Sequence, residues 1–241
     1  MEEIRKSSLL YPLWLLSAVC FGVIVCAVPF SEMKLPFASG TFLQYYKTAL
    51  SSRGMLFLIP IVAALPAGAS YVKEASNGFL KLYVIRIGRM DYIKRKIFLI
   101  YAGGFLPFFA AGAAAFLVCF FGIYPLELKG AIEQERVWEA FFLLLRICFV
   151  GGIMAEISGI FGAVFRNYYM AYGLPFVCYY FLIILKERYL PDLYAMCPTE
   201  WVVAEQYWGM DGMGVWMFFV VFSAAVMLLH GLVLYYRLRE I

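Results

Sequence analysis

The sequence predicts an all-α membrane protein with six transmembrane helices. Hydrophobic residues make up 64% of the 241 residues, and only 15% are charged, whereas soluble domains average about 25% charged residues. The mean hydropathy is +0.82. The apolar residues also form long continuous runs, which indicates helices rather than the alternating strands of a membrane barrel. A soluble fold of this length could not bury so much apolar surface.

Six apolar runs approach the roughly 20 residues that a helix needs to cross a hydrocarbon core of about 30 Å. In chain order they are Leu10–Phe30, Gly54–Tyr71, Ile97–Phe121, Phe141–Val164, Tyr168–Leu185 and Gly214–Tyr236. The first run is longer than the apolar part of a signal peptide and predicts an uncleaved helix. Pro60 and Pro66 predict an irregular second helix, because each proline removes a backbone donor.

The distribution of basic residues predicts the orientation of these spans. Twelve of the twenty Lys and Arg fall on one side and seven on the other, while Arg146 lies within a span. The positive-inside rule then places both termini and the segment Val72–Lys96 in the cytoplasm. Two outer loops, Ser31–Arg53 and Gly122–Ala140, are predicted to be polar. The third, Lys186–Met213, is acidic and rich in Trp, and its apolar patch Trp201–Ala204 is a candidate for re-entry into the membrane.

No catalytic or metal-binding motif is present. The sequence contains no GxxxxGK[ST], HExxH, GxSxG or GxGxxG, so it predicts no ATPase and no enzyme of those classes. Five of the six cysteines lie in apolar runs and none forms a CxxC pair, which is typical of cysteine used as a small hydrophobe. His230 is the single histidine, and we interpret it as a hydrogen-bonded or interfacial side chain. The net charge of +4 follows the loops and does not indicate nucleic-acid binding.

Arg146 and Glu156 are ionisable residues inside the fourth predicted span. They stand about 15 Å apart along a helix and cannot pair with each other. For Arg146 the alternatives are a side chain that reaches the lipid headgroups and a polar role in a pathway. For Glu156, within the small-residue stretch GGIMAEISGIFG, they are a hydrogen bond to a neighbouring helix and a place in a polar lining or gate.

The segment Val72–Lys96 holds seven of the twenty Lys and Arg. Ser76 or Asn77 could cap a short helix, Gly88 could end it, and Asp91 could cap the next helix. The pattern predicts an amphipathic helix on the cytoplasmic face, followed by an elbow into the third span. The alternative is an ordinary basic connector that touches anionic lipid.

Five residues of this segment, directly after a proline-containing span, resemble the cytoplasmic signature of ABC-2-type ABC transporter permeases. They are Glu74, Gly78, Arg89, Tyr92 and Lys96. In that family a glutamate is followed four residues later by glycine, then by an arginine about a dozen residues on and a lysine beyond. The chain length, the six spans and the long last outer loop resemble the same family. The chain departs from the pattern at Phe79, where many members have Thr, and in its short N-terminal stretch.

The resemblance implies that the segment is a coupling helix docked on a separate ATPase subunit, which binds ATP and Mg²⁺, so that this chain carries no cofactor. The implied ATPase-coupling residues are Glu74, Gly78, Phe79, Leu82, Arg86, Arg89, Tyr92 and Lys96. A second permease chain, identical or homologous, would complete the pathway, and Arg146 and Glu156 are candidates for its polar residues. Membrane lipid is the other expected partner.

The expected function is therefore ATP-driven export of an amphipathic or hydrophobic substrate across a bacterial cytoplasmic membrane. A peptide is the first expectation, because small permeases of this kind resemble those that expel antimicrobial peptides from Gram-positive bacteria. A lipid, glycolipid or drug exporter of the same architecture is the alternative. A non-transport assembly or sensor protein is the alternative of another class.

Overall fold

The computed structural model describes residues 2–28, 37–128, 134–209 and 212–240, with the side chains of residues 2–11 and of Phe79 outside that description. The part described is helical and contains no named strand. The α-helices are α1 Glu2–Cys26, α2 Thr41–Leu50, α3 Arg53–Ala64, α4 Ser70–Ser76, α5 Phe79–Ile87, α6 Arg89–Gly122, α7 Gln134–Phe165, α8 Tyr168–Arg188, α9 Pro198–Val203 and α10 Met213–Arg239.

Four of these helices, α6, α7, α8 and α10, are long and apolar enough to cross a membrane. The helices α2 and α3 meet at a bend of 52° and would together make a fifth span. In α1 the apolar part with described side chains, Pro12–Cys26, is shorter than a span, while the predicted span begins at Leu10, before those side chains, and ends at Phe30, outside the described residues. The helical membrane class is thus supported with four or five candidate spans, whereas six were predicted.

The centre of the bundle is α7. Within its most apolar window 67% of the residues are buried inside the protein, against 17–33% for the other three long helices. The backbones of α6 and α7 touch where Gly104 faces Gly151, since a Cβ built on Gly104 would lie 2.5 Å from the carbonyl oxygen of Gly151. Small residues at a crossing allow this close approach of membrane helices. This crossing fixes α6 against the core.

The second predicted span is broken. Helix α3 ends at Ala64, the backbone turns through residues 65–69, and α4 begins at Ser70. A continuous helix over Gly54–Tyr71 is therefore wrong, while the irregularity predicted from Pro60 and Pro66 is confirmed. Gly68 lies in the turn directly against α7, because a Cβ there would come within 1.9 Å of the Ser158 hydroxyl.

The segment Ser31–Arg53, predicted as a polar outer loop, contains α2, and the prediction is wrong for residues 41–50. The buried face of α2 consists of Phe42, Leu43, Tyr46, Ala49 and Leu50. The Tyr46 hydroxyl donates a 3.0 Å hydrogen bond to the carbonyl of Gly112 in α6. The polar residues that suggested a loop occupy the other face of this amphipathic helix.

The start of α6 meets the ends of α7 and α10 at one end of the bundle, which we call the basic end. A cluster of buried side chains joins them there: Tyr71, Leu80, Tyr92, Ile93, Ala163, Leu234 and Leu238. The Arg237 side chain also donates to the carbonyls of Ala163 and Val164. The long helices run from this end to an opposite end that holds α2 and α9.

Candidate functional site

Helix α5 is held between two glycines at the basic end. Gly78 precedes it with φ of 70°, and Gly88 alone separates it from α6 with φ of 93°. Both values lie in the region that glycine adopts readily and other residues avoid. A Cβ at either position would meet no atom within 4 Å, so the backbone conformation, and not lack of space, calls for glycine. The elbow predicted at Gly88 is present.

The predicted caps of this segment are wrong. Gly78 is the N-cap residue of α5 and Gly88 that of α6, and neither helix start has a side-chain cap. The Ser76 hydroxyl instead donates to the carbonyl of Lys73 within α4. Asp91 lies in the first turn of α6. The positive φ of the two glycines sets the chain direction at both joints, so no side-chain cap is needed to turn it.

Glu74, Tyr92 and Lys96 come together at the basic end. The Tyr92 hydroxyl donates to the Glu74 carboxylate at 2.7 Å, and the Lys96 ammonium lies 2.9 Å from the same oxygen. Tyr92 is 2% exposed and Lys96 4%. Because Glu74 belongs to α4 while Tyr92 and Lys96 share one face of α6, this triad ties α4 to α6 across α5.

Helix α5 has one packed face and one exposed face. Leu80 is buried in the cluster of the basic end, whereas Leu82 is 69% and Ile85 74% exposed. We call the exposed face, continued into the first turn of α6, the α5 surface; it consists of Lys81, Leu82, Ile85, Arg86, Arg89 and Met90. Arg86 and Arg89 therefore lie apart from the triad. The Phe79 side chain, also expected to take part in coupling, lies outside the described residues.

Glu156 and His230 meet in the bundle interior. A hydrogen bond joins the Glu156 carboxylate to Nδ1 of His230, and both side chains are buried. The other carboxylate oxygen of Glu156 and Nε2 of His230 are also buried, without a hydrogen-bond partner among the described residues. Nearby, the hydroxyls of Tyr101 and Ser223 lie 3.4 Å apart. The pair links α7 to α10.

Arg146 lies against α9. Its Nη1 donates a 3.1 Å hydrogen bond to the carbonyl of Val203. The buried Trp201 of α9 packs on Phe218 and Phe222 of α10. Arg146 is thus bound to protein in this structure, where one interpretation of the sequence had placed it among lipid headgroups. It lies far from Glu156 along α7, and the two do not form a joint site.

Among the described residues there is no group of three or more His, Cys, Asp or Glu side chains that could hold a metal ion. The six cysteines carry no disulfide and four of them are buried.

Comparison of the chain with protein-family models, with curated protein sequences and with solved structures finds no match.

Proposed function

We propose that this chain is the membrane-embedded permease subunit of an ATP-driven exporter in a bacterial cytoplasmic membrane. In this proposal the α5 surface is the place where a separate ABC ATPase subunit docks. The observation that carries the proposal is the presence of exposed Leu82 and Ile85 beside the cations Arg86 and Arg89 on the α5 surface, while the other face of α5 packs on the bundle through Leu80.

The energetics of the α5 surface favour a partner. Leaving a leucine or isoleucine side chain exposed to water costs about 1.5–3 kcal/mol relative to burial. Leu82 and Ile85, 69% and 74% exposed and three residues apart on α5, form an exposed apolar patch. Arg86 and Arg89, beside this patch, can pair with carboxylates of a partner protein. Such charge pairs orient the partner and speed its association more than they raise its affinity.

The mechanism follows from how α5 is mounted. Movement of a docked ATPase would shift α5 relative to the core, with Gly78 and Gly88 absorbing the change in backbone angles. The triad of Glu74, Tyr92 and Lys96 would pass the displacement to α4 and α6. Tyr92 shares its buried cluster with Ala163 of α7 and Leu234 of α10, so the movement reaches the central helices. The coupling free energy is the difference in docked contacts between the two ATPase states.

The substrate we propose is an amphipathic or hydrophobic molecule, with a peptide as the first candidate. The bundle interior offers few charges for a small ionic solute, and the described long helices expose many Phe, Leu and Tyr side chains. Those exposed faces suit lipid or a second permease chain. A lipid, glycolipid or drug exporter would use the same α5 surface and differ only in the substrate.

A crosslinking experiment tests the ATPase contact. A photoreactive amino acid replaces Leu82 or Ile85 in the protein expressed in its native host. The crosslinked protein is identified by mass spectrometry. The matched control uses Leu228 and Leu232 of α10, which are 70% and 55% exposed on the long apolar helix. We expect an ATPase with a GxxxxGK[ST] loop from the α5 positions only. Capture of lipid alone at α5 would contradict the proposal.

A functional experiment then tests coupling. The permease is purified with the captured ATPase and reconstituted in vesicles with a fluorescent amphipathic peptide or a fluorescent phospholipid. Leu82→Ala/Ile85→Ala and Arg89→Gln should weaken ATPase association and abolish ATP-dependent transport, whereas Leu228→Ala/Leu232→Ala should leave ATPase association unchanged. If both association and transport survive the α5 changes, the coupling assignment is wrong. Transport of the phospholipid but not the peptide would move the proposal to the lipid exporter.

A further inference from the structure

An open cavity of about 1440 Å³ lies at the end of the bundle opposite to α5. It is framed by α2, α7, the loop after α9 and the start of α10. Along α7 its lining runs from Glu135 to Phe149, which is about 21 Å of helix. Pockets for small molecules usually measure about 300–1,000 Å³. The cavity is therefore large enough for a molecule with a long apolar part.

The walls of the cavity are of two kinds. One wall is aromatic, where Trp216 of α10 lies 5.5 Å from Phe142 and 6.0 Å from Phe149 between ring centres. The charged lining residues are Lys47, Glu135, Arg136, Glu139 and Arg146, three cations against two carboxylates. Lys47 and Glu139 neutralise each other in a 2.6 Å ion pair. A ligand in the cavity thus meets an aromatic wall and a lining with a net positive charge.

Arg146 sits beside the aromatic wall, one helical turn from both Phe142 and Phe149. Its side chain is partly exposed within the cavity lining. No described carboxylate forms an ion pair with it, and Glu139, two turns away on α7, is held by Lys47. A partly buried cation beside an apolar wall is costly unless an anion compensates its charge. The carbonyl of Val203 supplies a hydrogen bond but no charge.

We propose that this cavity binds an amphiphile with an anionic head group, either carboxylate or phosphate. Arg146 contacts the head group, because a guanidinium presents several N–H donors that match these anions. The apolar part of the ligand lies along Phe142, Phe149 and Trp216. The inference uses the end of the bundle away from α5, so it stands or falls separately from the docking of an ATPase.

A binding experiment with the purified chain in dodecyl maltoside micelles tests this site. Dodecyl phosphate, dodecyltrimethylammonium at equal mole fraction, and inorganic phosphate are titrated separately. The readouts are tryptophan fluorescence, since Trp208 and Trp216 line the cavity, and the unfolding temperature. We expect saturable binding of dodecyl phosphate only. An equal response to the cationic amphiphile overturns the inference, and saturation by inorganic phosphate alone overturns its apolar part.

Substitutions locate the ligand. Arg146→Gln should weaken dodecyl phosphate binding at least tenfold, as expected for loss of a charge-assisted hydrogen bond, and Arg146→Lys should retain part of the affinity. Arg188→Gln removes the same charge from an exposed position at the end of α8, outside the lining, and should bind normally. Thr48→Trp, on the exposed face of α2, fills the cavity and should also weaken binding. If both Arg146→Gln and Thr48→Trp bind normally, the site is wrong; if Arg146→Gln does not fold, Thr48→Trp decides.

Discussion

Glu156 of α7 and His230 of α10 form a hydrogen-bonded pair inside the helix bundle, 74 residues apart in the chain. Neither side chain reaches the surface. The ring of His230 also rests on Gly159, where a Cβ would lie 2.6 Å from Cε1 of the imidazole. The position of α10 on α7 is therefore set by a polar contact and by a glycine next to it.

Replacing both members of this pair should destabilise the protein by less than the sum of the two single replacements. Glu156→Leu or His230→Leu leaves the other polar group buried without its partner, which costs about 1–3 kcal/mol. The double variant removes both polar groups, so its loss should be smaller than the sum. Thermal unfolding in detergent measures the cycle, with the exposed carboxylate variant Glu187→Gln as the neutral control. Strictly additive losses would show that the two side chains are not coupled.

The crossing of α6 and α7 predicts a sharp contrast between two glycines. Gly104→Ala would bring a methyl group within 2.5 Å of both the Ala155 Cβ and the Gly151 carbonyl oxygen, and overpacking of this kind costs about 1–3 kcal/mol. Gly173→Ala in α8 meets no atom within 4 Å and should be neutral or stabilising by up to about 1 kcal/mol, because alanine favours helix. Unfolding temperatures of the two variants decide; equal losses would place the close contact elsewhere.

The joints of α5 should tolerate substitution unequally. Gly88 combines φ of 93° with ψ of 148°, a region that is close to glycine-only, and Gly88→Ala should cost about 1–3 kcal/mol. Gly78 has φ of 70° and ψ of −2°, so Gly78→Asn should be milder than Gly78→Ala. Amide hydrogen exchange over residues 79–87 reports the loosening of α5. Unchanged exchange in Gly88→Ala would mean that the joint is not strained by a side chain.

The triad of the basic end predicts a graded loss of attachment of α4. Tyr92→Phe removes one hydrogen bond, worth about 0.5–1.5 kcal/mol. Lys96→Met removes the ion pair, and water can partly compensate because the Glu74 side chain is 31% exposed. Hydrogen exchange of residues 70–76 should rise in both variants and most in the double variant. Exposed Lys94→Met, on the same helix, is the control and should leave exchange as it was.

The long helices could be predicted from the sequence, because a run of about 20 apolar residues is typical of a membrane-spanning helix. The helix predicted over Phe141–Val164 spans Gln134–Phe165, and that over Gly214–Tyr236 spans Met213–Arg239. Helix α2 was missed because Gln44, Lys47 and Thr48 resemble loop composition. Its buried residues Phe42, Tyr46 and Ala49 nevertheless recur at helical spacing, and that signal could have identified it.

Contacts between particular helices could not be predicted from the sequence. Periodicity assigns a residue to a face but not to a neighbour, so nothing indicated that Glu156 would meet His230 or that Arg146 would meet Val203. The cavity at the end of the bundle opposite to α5 likewise depends on how far α2, α7 and α10 lie from one another. In the segment Val72–Lys96 Gly88 was informative, because the tendency of glycine to end a helix is a local property, whereas Gly78 was not predicted as the start of α5. The predicted N-cap of α5 was wrong because Ser76 and Asn77 are favoured at N-caps in general. The sequence does not show that Gly78, which follows them, takes that position instead.

The pairing of Glu156 with His230 has a consequence for biosynthesis. A carboxylate in α7 leaves the ribosome 74 residues before its histidine, which at about 5–20 residues per second is a delay of roughly 4–15 s. During that interval α7 is without α10, the helix whose His230 covers Glu156. A chain truncated before α10 should therefore be held by membrane quality control, because its Glu156 carboxylate is still without the His230 partner.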